Sequence, residues 1–144
     1  VDGLLALDLP PEEADEYEAM MNAAGLCSIW LVAPTTPPDR ITAITSRGSG
    51  FIYYISREGV TGMQQTVSDS IAERTGLIRD TTDLPIAVGF GISNPDQARQ
   101  VAASSDAIVV GSAIVNRVAE LGDAPDMPGK VAEYVRGLVE AIRD

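Results

Sequence analysis

The chain has 144 residues, 45% of them hydrophobic and 22% charged, with a formal net charge of −11 at pH 7, one cysteine and no histidine. This size fits one domain with a core of its own, and no apolar run approaches the roughly 20 residues of a membrane span. The acidic balance excludes a nucleic-acid partner; the lone Cys27 excludes an intrachain disulfide; the missing histidine removes zinc-type ligand sets and histidine-activated nucleophiles. No metal is expected, and a cytoplasmic setting fits best.

The chain opens at Val1 and Asp2, already inside an apolar run and without an initiator methionine, so a chain lacking its beginning is expected. Residues 3–7 read as a first strand. Residues 11–24 read as a helix, acidic at its start and closed by Gly25, which suits the helix dipole and a C-terminal glycine cap. A second strand is expected at 28–33, a helix at 38–46 and a third strand at 51–55. The connection that follows, 57–67, is longer than usual between strand and helix, as lids often are, and Gly59 and Gly62 flank Val60 and Thr61 as possible hinges. A plain solvated excursion is the competing reading.

A helix at 68–80 leads to a fourth strand at 85–88 and the short exit Gly89-Phe90-Gly91-Ile92-Ser93. Asn94, Pro95 and Gln97 supply an N-cap, a first-turn proline and a capping-box partner for a helix running to about Ala103. The fifth strand, 107–110, ends in Gly111-Ser112-Ala113-Ile114, with a helix over 113–121. A linker rich in Gly, Pro and Asp at 122–129 overlaps the start of a last helix at 128–142.

The strand runs are nearly continuous in apolar character instead of alternating, the pattern of a parallel sheet covered on both faces. Successive β-α units leave an open doubly wound sheet or part of a closed (β/α)8 barrel. Unusual residues follow every strand, whereas an open sheet builds its ligand crevice chiefly at one switch point. The barrel is favoured.

The most informative pieces are the two glycine-bearing exits after the last two strands. Glycine lets peptide N–H groups approach an anion closely, and a helix start beyond Ser112 adds a favourable dipole. In (β/α)8 barrels a phosphate commonly sits between the loops after strands 7 and 8 and a short extra helix, for which residues 113–121 are the candidate. Tight turns alone would also explain Gly89, Gly91 or Gly111 taken singly. Asp8 and Glu58 are the acids at strand ends, and for each a solvated or capping carboxylate is the simpler reading. Tyr53 and Phe90, judged without further context, read as core or rim aromatics.

Taken in order, Asp8-Leu9-Pro10-Pro11-Glu12-Glu13, Ala33-Pro34-Thr35-Thr36, Tyr53-Tyr54-Ile55-Ser56-Arg57-Glu58-Gly59-Val60-Thr61-Gly62, Gly89-Phe90-Gly91-Ile92-Ser93 and Gly111-Ser112-Ala113-Ile114-Val115 resemble the tryptophan synthase alpha chain family. The resemblance runs from Val1 to about Val118, roughly strand 4 through helix 8 of that barrel. It implies the C-terminal half of a phosphate-binding (β/α)8 barrel over residues 1–144, with the N-terminal half absent. It further implies a lyase that cleaves indole-3-glycerol phosphate to indole and glyceraldehyde 3-phosphate without a cofactor, and that supplies indole to a beta chain. By the same resemblance Gly62, Gly91, Ile92, Gly111 and Ser112 would hold the substrate phosphate. Thr61 would belong to the moving loop, Tyr53 and Phe90 would line the indole pocket, and Asp8 would lie near the beta-chain contact.

The family's acid and base carboxylates lie on strand 2 and the loop after it, upstream of Val1, so no catalytic residue is assigned and the 144 residues alone are expected to be inactive. They are also expected to self-associate. Two alternatives stay open: a non-catalytic half-barrel that binds phosphate or a partner, and another phosphate-binding barrel enzyme of amino-acid biosynthesis.

Overall fold

The structure, a computed structural model, describes residues 1–56, 64–89 and 91–143, with backbone alone for 64–68. In chain order the elements are β1 (Gly3–Leu5), a 3-10 turn (Pro11–Glu13), α1 (Asp15–Ala23), β2 (Cys27–Val32), α2 (Pro38–Thr45), β3 (Ile52–Ile55) and α3 (Gln64–Arg79). They continue with β4 (Ile86–Gly89), α4 (Pro95–Ala102), β5 (Ala107–Val109), α5 (Ser112–Leu121) and α6 (Met127–Glu140).

The strands form one parallel sheet in the order β1-β2-β3-β4-β5. A sheet that never reverses its order has no switch point, and right-handed crossovers then place every connecting helix on the same face. That is the winding of a (β/α)8 barrel, and it excludes the doubly wound alternative.

Register divides the strand residues between two faces. Trp30 pairs with Ile52, Val32 with Tyr54, Ile52 with Ile86 and Tyr54 with Val88. All six are buried, and they form one core with Ile41 and Ile44 of α2, Ile71 and Ile78 of α3, Val101 of α4 and Leu138 of α6. This is the helix-covered face. The alternate residues Leu5, Ile29, Tyr53 and Val109 line a largely apolar hollow of about 700 Å³ on the other face. In a closed barrel such inward side chains meet in stacked layers. The large apolar residues that remain exposed include Val1, Leu4 and Leu7 beside β1 and Val115 and Val118 on α5, the two flanks of the arc.

Several boundaries differ from expectation. β1 stops at Leu5 because only Gly3, Leu4 and Leu5 find partners on β2, and among the described residues β1 has no neighbour on its other side. The first helix divides into the 3-10 turn and α1 at Ala14, which is fully buried. α3 begins at Gln64 and so takes in the last part of the expected 57–67 loop. The close of α1 follows the sequence: Gly25 has φ 66°, its N–H donates to the Asn22 carbonyl at 3.2 Å, and the Leu26 N–H reaches back to Met21 at 2.9 Å. This pair of bonds is the Schellman arrangement that glycine makes possible.

The strand starts, away from the glycine-rich exits, are tied by polar contacts. Trp30 Nε1 donates to the Arg47 carbonyl at 3.1 Å, and Arg47 pairs with Asp15 at 2.9 Å and Glu18 at 3.1 Å. Asp106 exchanges two bonds with Ile86: its N–H donates to the Ile86 carbonyl at 3.0 Å, and its Oδ2 accepts the Ile86 N–H at 2.8 Å. Arg79, the last residue of α3, donates to the same oxygen at 2.9 Å. One carboxylate thus joins α3, β4 and β5.

The Ile86 N–H, opposed by partial desolvation and helped by Arg79, holds the Asp106 carboxyl below its ordinary value of 3.8. A depressed carboxyl stabilises the fold above its unfolded pKa, and that contribution disappears as pH falls through the folded value. Replacing Asp106 with Asn should therefore lower stability by about 1 kcal/mol at neutral pH, a small figure because the side chain is partly solvated. The difference between variant and parent in urea unfolding should shrink as pH drops below 3.8; a difference that does not change with pH would show that the charge contributes nothing.

Candidate functional site

The C-terminal ends of β3, β4 and β5 open onto a cavity of about 350 Å³. β3 contributes Tyr53 and Ile55, followed by Ser56; the β4 side contributes Gly89, Gly91, Ile92 and Ser93. From the β5 side come Val109, Gly111 and the first turns of α5, Ser112, Ala113 and Asn116. Ile55 pairs with Gly89 and Gly89 with Val109, so the exits lie side by side because the strands do.

The three glycines serve different physical ends. A Cβ on Gly89 would overlap the Tyr53 hydroxyl and lie 2.9 Å from its ring, so this glycine makes room for the tyrosine. Gly91 has φ 57°, a left-handed conformation that side chains resist, and nothing lies within 4 Å of its Cβ direction. Gly111 precedes α5 with open space beside it. Gly91, Gly111 and Ser112 are all exposed to the cavity side.

α5 receives no side-chain cap at its N-terminus and carries no acid in its first turn. Its first N–H groups, those of Ser112 and Ala113, precede the first bonded amide, Ile114, whose N–H donates to the Gly111 carbonyl at 3.0 Å, and they stand at the positive end of the dipole. α4 differs: Asn94 Oδ1 accepts the Gln97 N–H at 2.9 Å, and Asp96 sits in its first turn. The Gln97 side chain completes a box with a shifted partner, accepting from the N–H of Ser93 at 2.9 Å and from its hydroxyl at 3.1 Å instead of from Asn94. Tyr134 of α6 donates to the Ser93 carbonyl at 2.9 Å, and the Arg117 guanidinium of α5 lies 5.3 Å from the Tyr134 ring centre. Gln97 and Tyr134 thus both hold Ser93, one through its N–H and hydroxyl and the other through its carbonyl.

Among the described residues that line the cavity none is charged. In a chain of net charge −11, a concavity whose described lining carries no carboxylate and is edged by backbone and hydroxyl groups is chemically suited to an anion. The described lining can bind and orient an anionic group, and no carboxylate or amine among the described lining residues is available to transfer a proton. No group of three or more His, Cys, Asp or Glu residues comes together among the described residues.

Of the residues expected at a site, Tyr53, Gly91, Ile92, Gly111 and Ser112 are thus brought to one cavity, with Ile92 almost fully buried beneath it. Asp8 lies exposed beyond β1 and does not line the cavity. Glu58, Thr61, Gly62 and Phe90 lie outside the described residues. Ser56, Asn116 and Tyr134 were not expected. Ser56 and Asn116 reach the cavity through strand register and helix start, and Tyr134 arrives from 41 residues away in sequence.

Comparison with known proteins agrees with this geometry. The family profile "Tryptophan synthase alpha chain" matches residues 1–143, farther than the stretch to Val118 on which the sequence resemblance rests. The tryptophan synthase alpha chain of Opitutus terrae is 54% identical over 144 residues, covering 99% of this chain and 54% of its own length. That of Alkalilimnicola ehrlichii is 47% identical over 143 residues, covering 99% and 52%. Among solved structures, the tryptophan synthase alpha chain from Legionella pneumophila subsp. pneumophila superposes with a TM-score of 0.83 at 34% identity, covering 99% of this chain and 52% of that one. Tryptophan synthase from M. tuberculosis, in its aminoacrylate- and BRD0059-bound form, gives 0.81 at 32% identity, covering 99% and 50%. The chain spans about half the length of the curated relatives it matches. With five parallel β-α units wound in the barrel order and a profile match along almost its whole length, this chain belongs to the tryptophan synthase alpha chain family.

Proposed function

We propose that residues 1–144 form the C-terminal half of a phosphate-binding (β/α)8 barrel and supply the substrate-anchoring part of an indole-3-glycerol-phosphate lyase. The observation that carries this reading is the cavity, uncharged among its described lining residues, where Gly91, Gly111 and the uncapped start of α5 converge. The phosphate of indole-3-glycerol phosphate sits against Gly91, Ile92, Gly111 and Ser112, with Gly62 completing the cradle. Tyr53 and Phe90 border the indole, and Thr61 belongs to the loop that closes over it. A half-exposed tyrosine on the inner face, directly below the cavity, supports the assignment of Tyr53.

The reaction is a retro-aldol cleavage to indole and glyceraldehyde 3-phosphate. Carboxylates outside these 144 residues move the protons, and phosphate binding, remote from the bond that breaks, supplies orientation. No cofactor takes part. The indole passes to a beta chain, and Asp8, exposed beyond β1, faces that partner. A cytoplasmic location accords with a biosynthetic enzyme, and no helix among the described residues is long and apolar enough to cross a membrane. Family membership disfavours another phosphate-binding barrel as the alternative.

Titrating the chain with glycerol 3-phosphate while recording amide resonances tests the cradle. Gly91, Gly111 and Ser112 should move at millimolar ligand; shifts confined to distant residues would assign the anion elsewhere. Indole-3-glycerol phosphate should not be cleaved measurably by the 144 residues alone, since each missing acid or base contributes about 10²- to 10⁴-fold. Family-like turnover from the purified chain would transfer the proton chemistry to a carboxylate within it.

The isolated chain should also self-associate. β1 and β5 each offer an open edge, and apolar side chains stand exposed on both flanks. Sedimentation over a concentration series should show species heavier than 15.2 kDa; a monomer persisting to high concentration would mean that these surfaces do not drive association.

A further inference from the structure

We infer that Ser56, which nothing above assigns to the ligand, is a substrate-binding residue whose hydroxyl donates to a phosphate oxygen in the cavity at the strand exits. The inference rests on the phosphate reading of that cavity. Two buried side-chain oxygens among the described residues lack a hydrogen-bond partner, Glu18 Oε1 and Ser56 Oγ. Glu18 is accounted for, because its other oxygen pairs with Arg47 at 3.1 Å. Ser56 has no such relief: the residue is 7% exposed and its hydroxyl meets neither donor nor acceptor.

A buried hydroxyl without a partner is destabilising, and native proteins retain few of them. Its position gives the reason. Ser56 follows Ile55, and its own N–H donates to the Gly89 carbonyl at 3.0 Å, which fixes its backbone against the β4 exit. It lines the same cavity as Gly91, Gly111 and Ser112, at the level where the strands end and one residue beyond the apolar Ile55. A hydroxyl there can turn its hydrogen toward an anion, and the described lining offers no cation to do that work. The orphaned group is thus a buried polar site without a partner beside the cavity, and the phosphate is the partner assigned to it.

The Ser56→Ala variant separates this role from a structural one, because the two predict opposite signs. Removing an unsatisfied hydroxyl should raise the melting temperature of the unliganded chain by roughly 2–4 °C. It should also weaken binding of glycerol 3-phosphate and of inorganic phosphate alike, by about tenfold, the scale of one hydrogen bond to a charged group. A lower melting temperature would mean that the hydroxyl already has a partner, such as an ordered water, and would overturn the inference. Unchanged affinity for both probes would overturn it as well, while shifts of Gly111 and Ser112 in the parent would leave the cavity reading standing. If the parent itself gives no phosphate shifts at Gly111 and Ser112, the cavity reading fails and takes the inference with it.

Discussion

Parallel pairing in strict chain order is the constraint on which the rest depends. Because β1 to β5 never reverse, every helix returns over the same face, and that face alone acquires a dense core. The opposite face keeps residues such as Tyr53 and Val109 half-buried around an apolar hollow. The same order aligns the C-terminal ends of three consecutive strands, so residues as far apart in sequence as Ser56, Gly91 and Ser112 meet at one cavity. Fold and site are consequences of one winding rule.

The two ends of the sheet divide the physical labour. At the strand starts, buried or partly buried polar contacts such as Asp106 with Ile86 and Arg79, and Trp30 with Arg47, lock elements together. At the strand exits the structure is left open: α5 starts without a side-chain cap, space lies free beside Gly91 and Gly111, and the hydroxyl of Ser56 has no partner. A scaffold stable at one end can keep polar groups unsatisfied at the other. In so acidic a chain, the carboxylates nevertheless stay away from the described cavity lining.

The strands were legible because each is a continuous apolar run, and the runs at β2 and β3 were placed within a residue of their observed bounds. Gly25 and Asn94 were legible because caps are local chemistry, set by one φ angle or one side chain. Extents that depend on neighbours were not: β1 is shortened by having a partner on one side only, and the first helix breaks at a buried Ala14. The site was legible as glycines, not as a constellation. Sequence reads Gly89 as part of an anion cradle, whereas its missing side chain makes room for Tyr53. Ser56 stands in the quoted strand-exit run without a role of its own and becomes informative through its missing partner, whereas Tyr134 is informative only through a bond to Ser93 across 41 positions.

The central claim is that phosphate binds at the exits of β4 and β5. An outer cleft between α4, α5 and α6 is the natural competitor, as it presents Arg117 and Lys130, although each is already paired, with Glu120 at 3.1 Å and with Asp126 at 2.9 Å. A crystal structure of the chain grown with glycerol 3-phosphate distinguishes the two. Phosphate oxygens should lie within about 3 Å of the backbone nitrogens of Gly91, Gly111 and Ser112; a phosphate held by Arg117 and Lys130, with the strand exits empty, would place the anion site in the outer cleft instead.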